Sequence, residues 1–162
     1  PSAEHVLPDP YPVKFTKADR RDKVVLVPNT SHAFAKLMSA TFCRQGVRAE
    51  ALDVGGEEAI RLGKKYVHND ICFPAQVVIG EALAALRSGK YDLDHVAVAM
   101  AKYVGDCRLT HYSALLRKAL DDAAVIKEDT GSYVFIRIYG YVLDAMEDFA
   151  VVLEVSNGLM AA

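Results

Sequence analysis

A strand, a helix and a second strand follow one another between residues 23 and 52, and this order constrains the fold more than any other feature. The run KVVLV at residues 23–27 is apolar and β-branched and stops at Pro28, which is typical of a buried strand. Ser31 is placed to cap a helix over 32–45, and a short strand is predicted over 48–52. Such a βαβ unit is almost always right-handed and has parallel strands, so the sequence predicts an α/β fold.

The alternation of helices and strands continues after this unit. Helices are predicted over 57–64 and 74–88 and from a cap at residue 110 through residue 122, and a third apolar strand over 95–100. We therefore expect three layers, with a short parallel sheet flanked by helices. The residues that follow helical spacing in the first helix are expected to face the core; they are Phe34, Leu37, Met38, Thr41 and Phe42.

The two ends of the chain have a different character. Residues 1–22 hold four of the six prolines and are expected to form an extended lead-in to a single domain over 23–162. Near the other end, a strand is predicted over 133–136 and a helical pattern over 139–155. Because the chain begins with proline, we expect it to be an excerpt of a longer polypeptide.

Composition excludes several classes of protein. The net charge is −2 and no run of Lys or Arg exceeds a pair, which argues against a nucleic-acid surface. No apolar run approaches the roughly 18 residues of a membrane span, and the first residues lack the pattern of a signal peptide. We therefore expect a cytoplasmic protein without a membrane partner.

Gly55-Gly56 lacks the Lys and Ser/Thr of a P-loop, so we expect no ATP site in this segment.

Two of the three cysteines occur in matched settings. Cys72 and Cys107 each lie in a polar stretch just before a predicted helix, with Asp70 and Asp106 close by. A helix N-terminus favours thiolate over thiol, and thiolates are good metal ligands. We therefore expect the two cysteines to meet at a metal site. The alternative is that each cysteine only fills space. We interpret the third cysteine, Cys43, as structural or incidental.

The sequence leaves the metal and the roles of neighbouring side chains open. His68 and His111 lie four residues from the cysteines and complete a Cys₂His₂ set for zinc, although the ligand spacing is unusually long. An iron–sulfur cluster accepts thiolates from separate loops equally well. The polar side chains nearby either tune a metal through hydrogen bonds or fix the loops; they are Asn69, Asp70, Asp106 and Arg108. No G-x-S-x-G motif occurs, and we assign no catalytic residue.

Five segments together resemble a known family. They are KYVHNDICFP at 65–74, the helix with Gly80 and Glu81, SGKYD at 88–92, GDCR at 105–108 with the residues through Tyr112, and RKAL at 117–120. They resemble the 2-hydroxyacyl-CoA dehydratase and dehydratase-activase-related family, and more narrowly the dehydratase-like module of the long CoA-substrate-specific enzyme activases. The likeness runs from about residue 23 to residue 122.

This resemblance implies an iron–sulfur protein of anaerobic metabolism. In the family, an ATP-hydrolysing activase passes a low-potential electron to a component that holds a 4Fe-4S-type cluster, and the electron permits dehydration of a 2-hydroxyacyl-CoA or a similarly difficult reduction. Cys72 and Cys107 fall on the family's cysteine positions. A cluster needs three or four protein ligands, so at least one must come from elsewhere: from an absent region, from Cys43 or from a group other than cysteine.

The expectation from the sequence is therefore an iron–sulfur electron-transfer or reductase module of flavodoxin-like or dehydratase-subunit-like fold. Its implied partners are the activase as electron donor and an acyl-CoA as substrate, with homo-oligomer formation left open. The alternatives are a metal-free scaffold or docking domain of a larger protein, and a structural zinc site.

Overall fold

A computed structural model of the chain describes residues 16–100 and 107–123. The predicted strand over 133–136, the helical pattern over 139–155, most of the lead-in and Asp106 lie outside these residues.

In the described part of the chain, three parallel strands form an open sheet. They are β1 (Val24–Val27), β2 (Arg48–Ala51) and β3 (Val96–Val98), in the order β2-β1-β3. In the register of the sheet, Val24 lies opposite Arg48 on one side and Val96 on the other. The apolar run in β1 is explained by its central place, since such a strand is buried on both faces. The predicted α/β fold, a small parallel sheet flanked by helices, is confirmed.

Within residues 16–100 and 107–123, five helices and two 3₁₀ turns accompany the sheet. The helices are α1 (Asp19–Asp22), α2 (His32–Arg44), α3 (Glu57–Tyr66), α4 (Phe73–Arg87) and α5 (Tyr112–Asp122); the 3₁₀ turns are Leu93–His95 and Arg108–His111. Three local details differ from expectation. The described part of the lead-in contains the single turn α1, and residue 110 lies inside a 3₁₀ turn where a helix start was predicted. Ser31 is the N-cap residue of α2, but its side chain makes no capping hydrogen bond.

The core has one part on each face of the sheet, because successive strand residues point to opposite faces. On one face, Val25 and Val27 pack with Met38 and Phe42 of α2. On the other face, Leu26 belongs to a larger core under α3, α4 and α5. Phe34 and Leu37 were expected to be buried, and this prediction was wrong: they are 39 % and 41 % exposed.

Helices α3 and α4 are in backbone contact. A Cβ atom added to Gly80 would lie 1.8 Å from the carbonyl oxygen of Ala59, and one added to Gly63 would lie 1.9 Å from that of Gln76. Only glycine allows so close an approach. The contact anchors both ends of the loop between the two helices, residues 67–72, which contains the first cysteine of the predicted site.

Within the described part of the chain, none of the helices combines the length and the apolar character needed to cross a bilayer.

Candidate metal site

Cys72 is the N-cap residue of α4. Its carbonyl oxygen accepts a hydrogen bond from the backbone N–H of Ala75 (3.0 Å), and Pro74 lies in the first turn, where its missing N–H costs nothing. The half-buried thiol makes no capping hydrogen bond. Instead, its Sγ lies 3.0 Å from the hydroxyl oxygen of Tyr112, which is 40 residues further along the chain. The thiol of Cys72 therefore faces the start of α5.

The second cysteine, Cys107, lies shortly before the start of α5 in the sequence. It is exposed and is the N-cap residue of the 3₁₀ turn that leads into α5. Burial raises the pKa of the Tyr112 phenol above its ordinary value, and the hydrogen bond and charge of Cys72 and the charge of Cys107 raise it further. The structure brings the two predicted cysteine loops together.

Arg108 ties the two loops to each other. Its Nη1 donates a hydrogen bond to the backbone carbonyl of Asp70, at 2.6 Å. The carboxylate of Asp70 is 88 % exposed, and the side chain of Asn69 is also exposed. These polar residues were expected either to tune a metal through hydrogen bonds or to fix the loops. The contact of Arg108 fixes the loops.

The two histidines lie at the rim of this region. His68 is exposed, and its Nδ1 lies 3.2 Å from the backbone N–H of Asp70, which donates to it. His111 is exposed and lines an open groove on α5. Over residues 16–100 and 107–123, no three His, Cys, Asp or Glu side chains are grouped so that they could hold a metal ion.

The donor set fits part of a metal site. Two thiols on loops that touch each other have the chemistry of two ligand positions for a soft metal or an iron–sulfur cluster. Cys72 and Cys107 would be two of its ligands, which is fewer than the three or four protein ligands that a cluster needs.

The groove on α5 combines apolar and basic side chains. Its lining residues are Ile71, Arg108, His111, Ala114, Leu115 and Lys118. Ile71 precedes Cys72 and Arg108 follows Cys107 in the sequence, so the groove adjoins the two thiols. A surface of this chemistry suits a ligand with anionic and apolar parts.

Sequence reasoning assigned no role to Glu81, although Glu81 forms part of the resemblance. It lies on α4 and is only 5 % exposed. Its Oε2 accepts a hydrogen bond from the backbone N–H of Asn29 (2.9 Å), and its Oε1 accepts one from Gly55 (2.6 Å). Because Asn29 follows β1 and Gly55 follows β2, this carboxylate ties together two loops at the carboxyl edge of the sheet. Burial raises the pKa of Glu81, and the hydrogen bonds from Asn29 and Gly55 partly offset this effect.

Tyr112 was also missed as a site residue. Both Tyr112 and Glu81 left a signal in the sequence: Glu81 is a carboxylate in an otherwise apolar helix, and Tyr112 is a polar aromatic at a predicted helix start. Neither signal identifies the partner group, because the partners lie tens of residues away.

Comparison with known proteins adds no relative: no protein-family model matches the chain, and no curated protein or solved structure matches it significantly. Fold and site together define a small parallel α/β protein with a pair of thiols at the start of two helical segments. The resemblance to the dehydratase family stays a prediction.

Proposed function

We propose that this chain is an iron–sulfur electron-transfer or reductase module in which Cys72 and Cys107 are thiolate ligands of a 4Fe-4S cluster. One observation carries the proposal: Arg108, next to Cys107, donates a hydrogen bond to the carbonyl of Asp70 in the loop of Cys72, and Tyr112 at the start of α5 lies 3.0 Å from Cys72 Sγ. Iron–sulfur clusters are held by cysteine thiolates of this kind. When bound, the cluster would supply single electrons.

The residues around the thiols have roles that follow from their contacts. Cys72 is the N-cap residue of α4, and its Sγ lies 3.0 Å from the hydroxyl oxygen of Tyr112. Arg108 holds the second loop against the first through the carbonyl of Asp70. The loop of Cys72 is further held by the hydrogen bond from Gln76 Nε2 to the carbonyl of Ile71, at 3.2 Å. These contacts orient two ligands before the cluster binds.

We also propose a wider architecture of the flavodoxin-like or dehydratase-subunit-like kind. The strand order β2-β1-β3 supports it, since a flavodoxin-like sheet has the order 2-1-3-4-5 and begins in this way. In such sheets ligands bind beyond the carboxyl ends of the strands, where the order reverses. That point lies between β1 and β3, and Cys107 is on the chain that follows β3.

The proposed system follows the family resemblance. An ATP-hydrolysing activase, in the cytoplasm, would donate the electron, and an acyl-CoA would be the substrate. The groove beside the thiols supports an acyl-CoA, because Arg108 and Lys118 suit its phosphates while Leu115 and Ile71 suit an apolar chain.

Anaerobic reconstitution with iron and sulfide tests the cluster. We expect the full chain to retain iron and acid-labile sulfide, and we expect Cys72→Ser and Cys107→Ser each to lose most of both. Cys43→Ser is the matched control: this third cysteine is exposed on α2, and its Sγ donates to the carbonyl of Ala49 at 3.3 Å.

Three results would overturn the proposal. Retention of iron that is the same in all three serine variants would exclude these ligands. A folded chain that takes up no metal would favour the scaffold or docking alternative. Zinc, and not iron, bound in proportion to Cys72 and Cys107 would favour the structural zinc site, with His68 and His111 as the next residues to replace.

A further inference from the structure

We propose that the cavity between α4 and the loop after β2 binds a small organic cation, an alkylammonium or an alkylguanidinium, whose charge meets the buried carboxylate of Glu81. This inference is independent of the proposed function, because it requires neither a metal nor the two thiols.

The cavity has a volume of about 270 Å³ and lies between two parts of the chain. One wall is the face of α4 that carries Glu81, Ala84 and Ala85, which are neighbours because they are three and four residues apart. The other wall is Leu52 with the loop 53–56, beyond the carboxyl end of β2, where parallel sheets bind ligands. The alanine and leucine side chains suit a short alkyl chain.

The buried carboxylate of Glu81 has no opposite charge beside it in the described part of the chain. None of the ion pairs formed within residues 16–100 and 107–123 includes Glu81. Its two oxygens accept hydrogen bonds from the backbone N–H groups of Asn29 and Gly55 instead. A buried charge without a counter-charge is costly, and burial is the largest cause of the raised pKa of Glu81. A cation in the cavity offsets this cost.

The carboxylate can also accept further hydrogen bonds. An ionised carboxylate has about four lone-pair sites on its two oxygens. Glu81 receives one backbone hydrogen bond at each oxygen. The N–H groups of an ammonium or a guanidinium therefore find acceptor sites on a side chain that lines the cavity.

The other charged side chains that line the cavity do not oppose a cation. Glu50 forms an ion pair with Lys90, so the positive charge of this lysine is already balanced. Glu58 forms an ion pair with Arg61 at 2.6 Å, and Asp53 is exposed to solvent. The charge that a ligand meets in the cavity is therefore negative.

An NMR titration of the full chain tests the site with probes that share a four-carbon chain. Butylammonium and butylguanidinium carry a positive charge, whereas butanol is neutral and butyrate is negative. We expect both cations to shift the backbone amide signal of Gly55 saturably, because this N–H donates to Glu81 Oε1. We expect butanol and butyrate to leave the signal in place.

The variant Glu81→Gln removes the charge from the cavity. We expect it to bind both cations at least about tenfold more weakly, since hydrogen bonds to charged groups contribute more than neutral ones. Glu57→Gln is the matched control: Glu57 is exposed in the first turn of α3 and does not line the cavity. We expect its affinity to stay within about twofold of that of the unaltered chain, because exposed charges are screened.

The variant Ala85→Leu fills the cavity and leaves every charge in place. We expect it to lose the response of Gly55 to both cations and to unfold at the same temperature as the unaltered chain. This variant decides the question if Glu81→Gln does not fold.

Four results would overturn the inference. They are an unaltered chain in which neither cation shifts the Gly55 signal, a response to butanol equal to that for butylammonium, undiminished binding in Glu81→Gln or Ala85→Leu, and equal losses in Glu57→Gln and Glu81→Gln. None of these measurements involves iron, so each leaves the iron–sulfur proposal standing.

Discussion

At the scale of single residues, the described part of the chain buries two polar groups whose partners are far away in sequence. The Tyr112 hydroxyl meets Cys72 across 40 residues, and the Glu81 carboxylate meets the backbone of Asn29 across 52. A buried polar group without a partner costs about 1–3 kcal/mol. Each of these contacts therefore stabilises one arrangement of loops over its alternatives.

Glu81 is expected to give the stability of the fold a distinct pH dependence. Because burial raises its pKa above the ordinary value of 4.5, the folded chain binds this proton more tightly than the unfolded chain does. The contribution of Glu81 to stability is thus complete below that value and is lost as the pH rises through the raised pKa of the folded state.

Urea denaturation of the unaltered chain and of Glu81→Gln, from about pH 4 to about pH 7, measures this effect. The glutamine has no titrating proton, so the difference between the two unfolding free energies isolates Glu81. We expect the unaltered chain to lose stability relative to the variant across this range. A difference that is constant or grows with pH would show that burial does not dominate at this carboxylate.

At the scale of elements, the contact between α3 and α4 places the first cysteine loop. Gly63 and Gly80 let the two backbones touch, so the helix pair cannot shift without opening the turn that joins them. Helix pairs with larger side chains at the contact lie about 8–10 Å apart. Because Gly63 and Gly80 have no side chains, the two helices lie close together, and this close contact helps to position Cys72 in the loop that joins them.

Gly80→Ala is expected to destabilise the chain by at least about 2 kcal/mol, because the added Cβ meets a backbone oxygen that cannot rotate away. The clash outweighs the gain of about 1 kcal/mol in helix propensity. Thermal unfolding measures the effect.

The matched control for this prediction is Gly56→Ala. An added Cβ there has no heavy atom within 4 Å, and at this N-cap position of α3 we expect a cost of at most about 1 kcal/mol. Equal stability losses in the two variants would contradict the close helix contact.

At the scale of the whole molecule, a narrow sheet joins two parts of the core. Leu26 is fully buried on the face that carries α3, α4 and α5, and Met38 of α2 is 9 % exposed on the other face. Because β1 contributes to both parts, neither part can form its full set of contacts without the sheet. The described residues should therefore unfold as one cooperative unit.

Leu26→Ala and Met38→Ala test this cooperativity. Each is expected to lower the free energy of unfolding by about 2–5 kcal/mol, since each leaves a cavity in a packed core. We expect circular dichroism and tyrosine fluorescence to report the same single transition in both variants. Two separate transitions in either variant would show that the two faces fold independently.

The sequence by itself determined most of the local structure. The apolar run of β1, the helical spacing that follows it, and the glycine and proline residues at element ends act over a few residues, so they predicted the βαβ order and the parallel sheet. They also predicted that Cys72 and Cys107 lie just before helical segments, as the structure shows. That an iron–sulfur cluster binds there stays a prediction.

Only the tertiary structure decided which groups meet. Helical spacing predicted that Phe34 and Leu37 would be buried, but the side of α2 that packs on the sheet is that of Ala35, Met38 and Phe42. The central place of β1 and the pairing of Cys72 with the Tyr112 phenol depend in the same way on how the elements pack. The physical reason is that periodicity acts within one element, whereas burial and hydrogen bonding between elements depend on the arrangement of the entire fold.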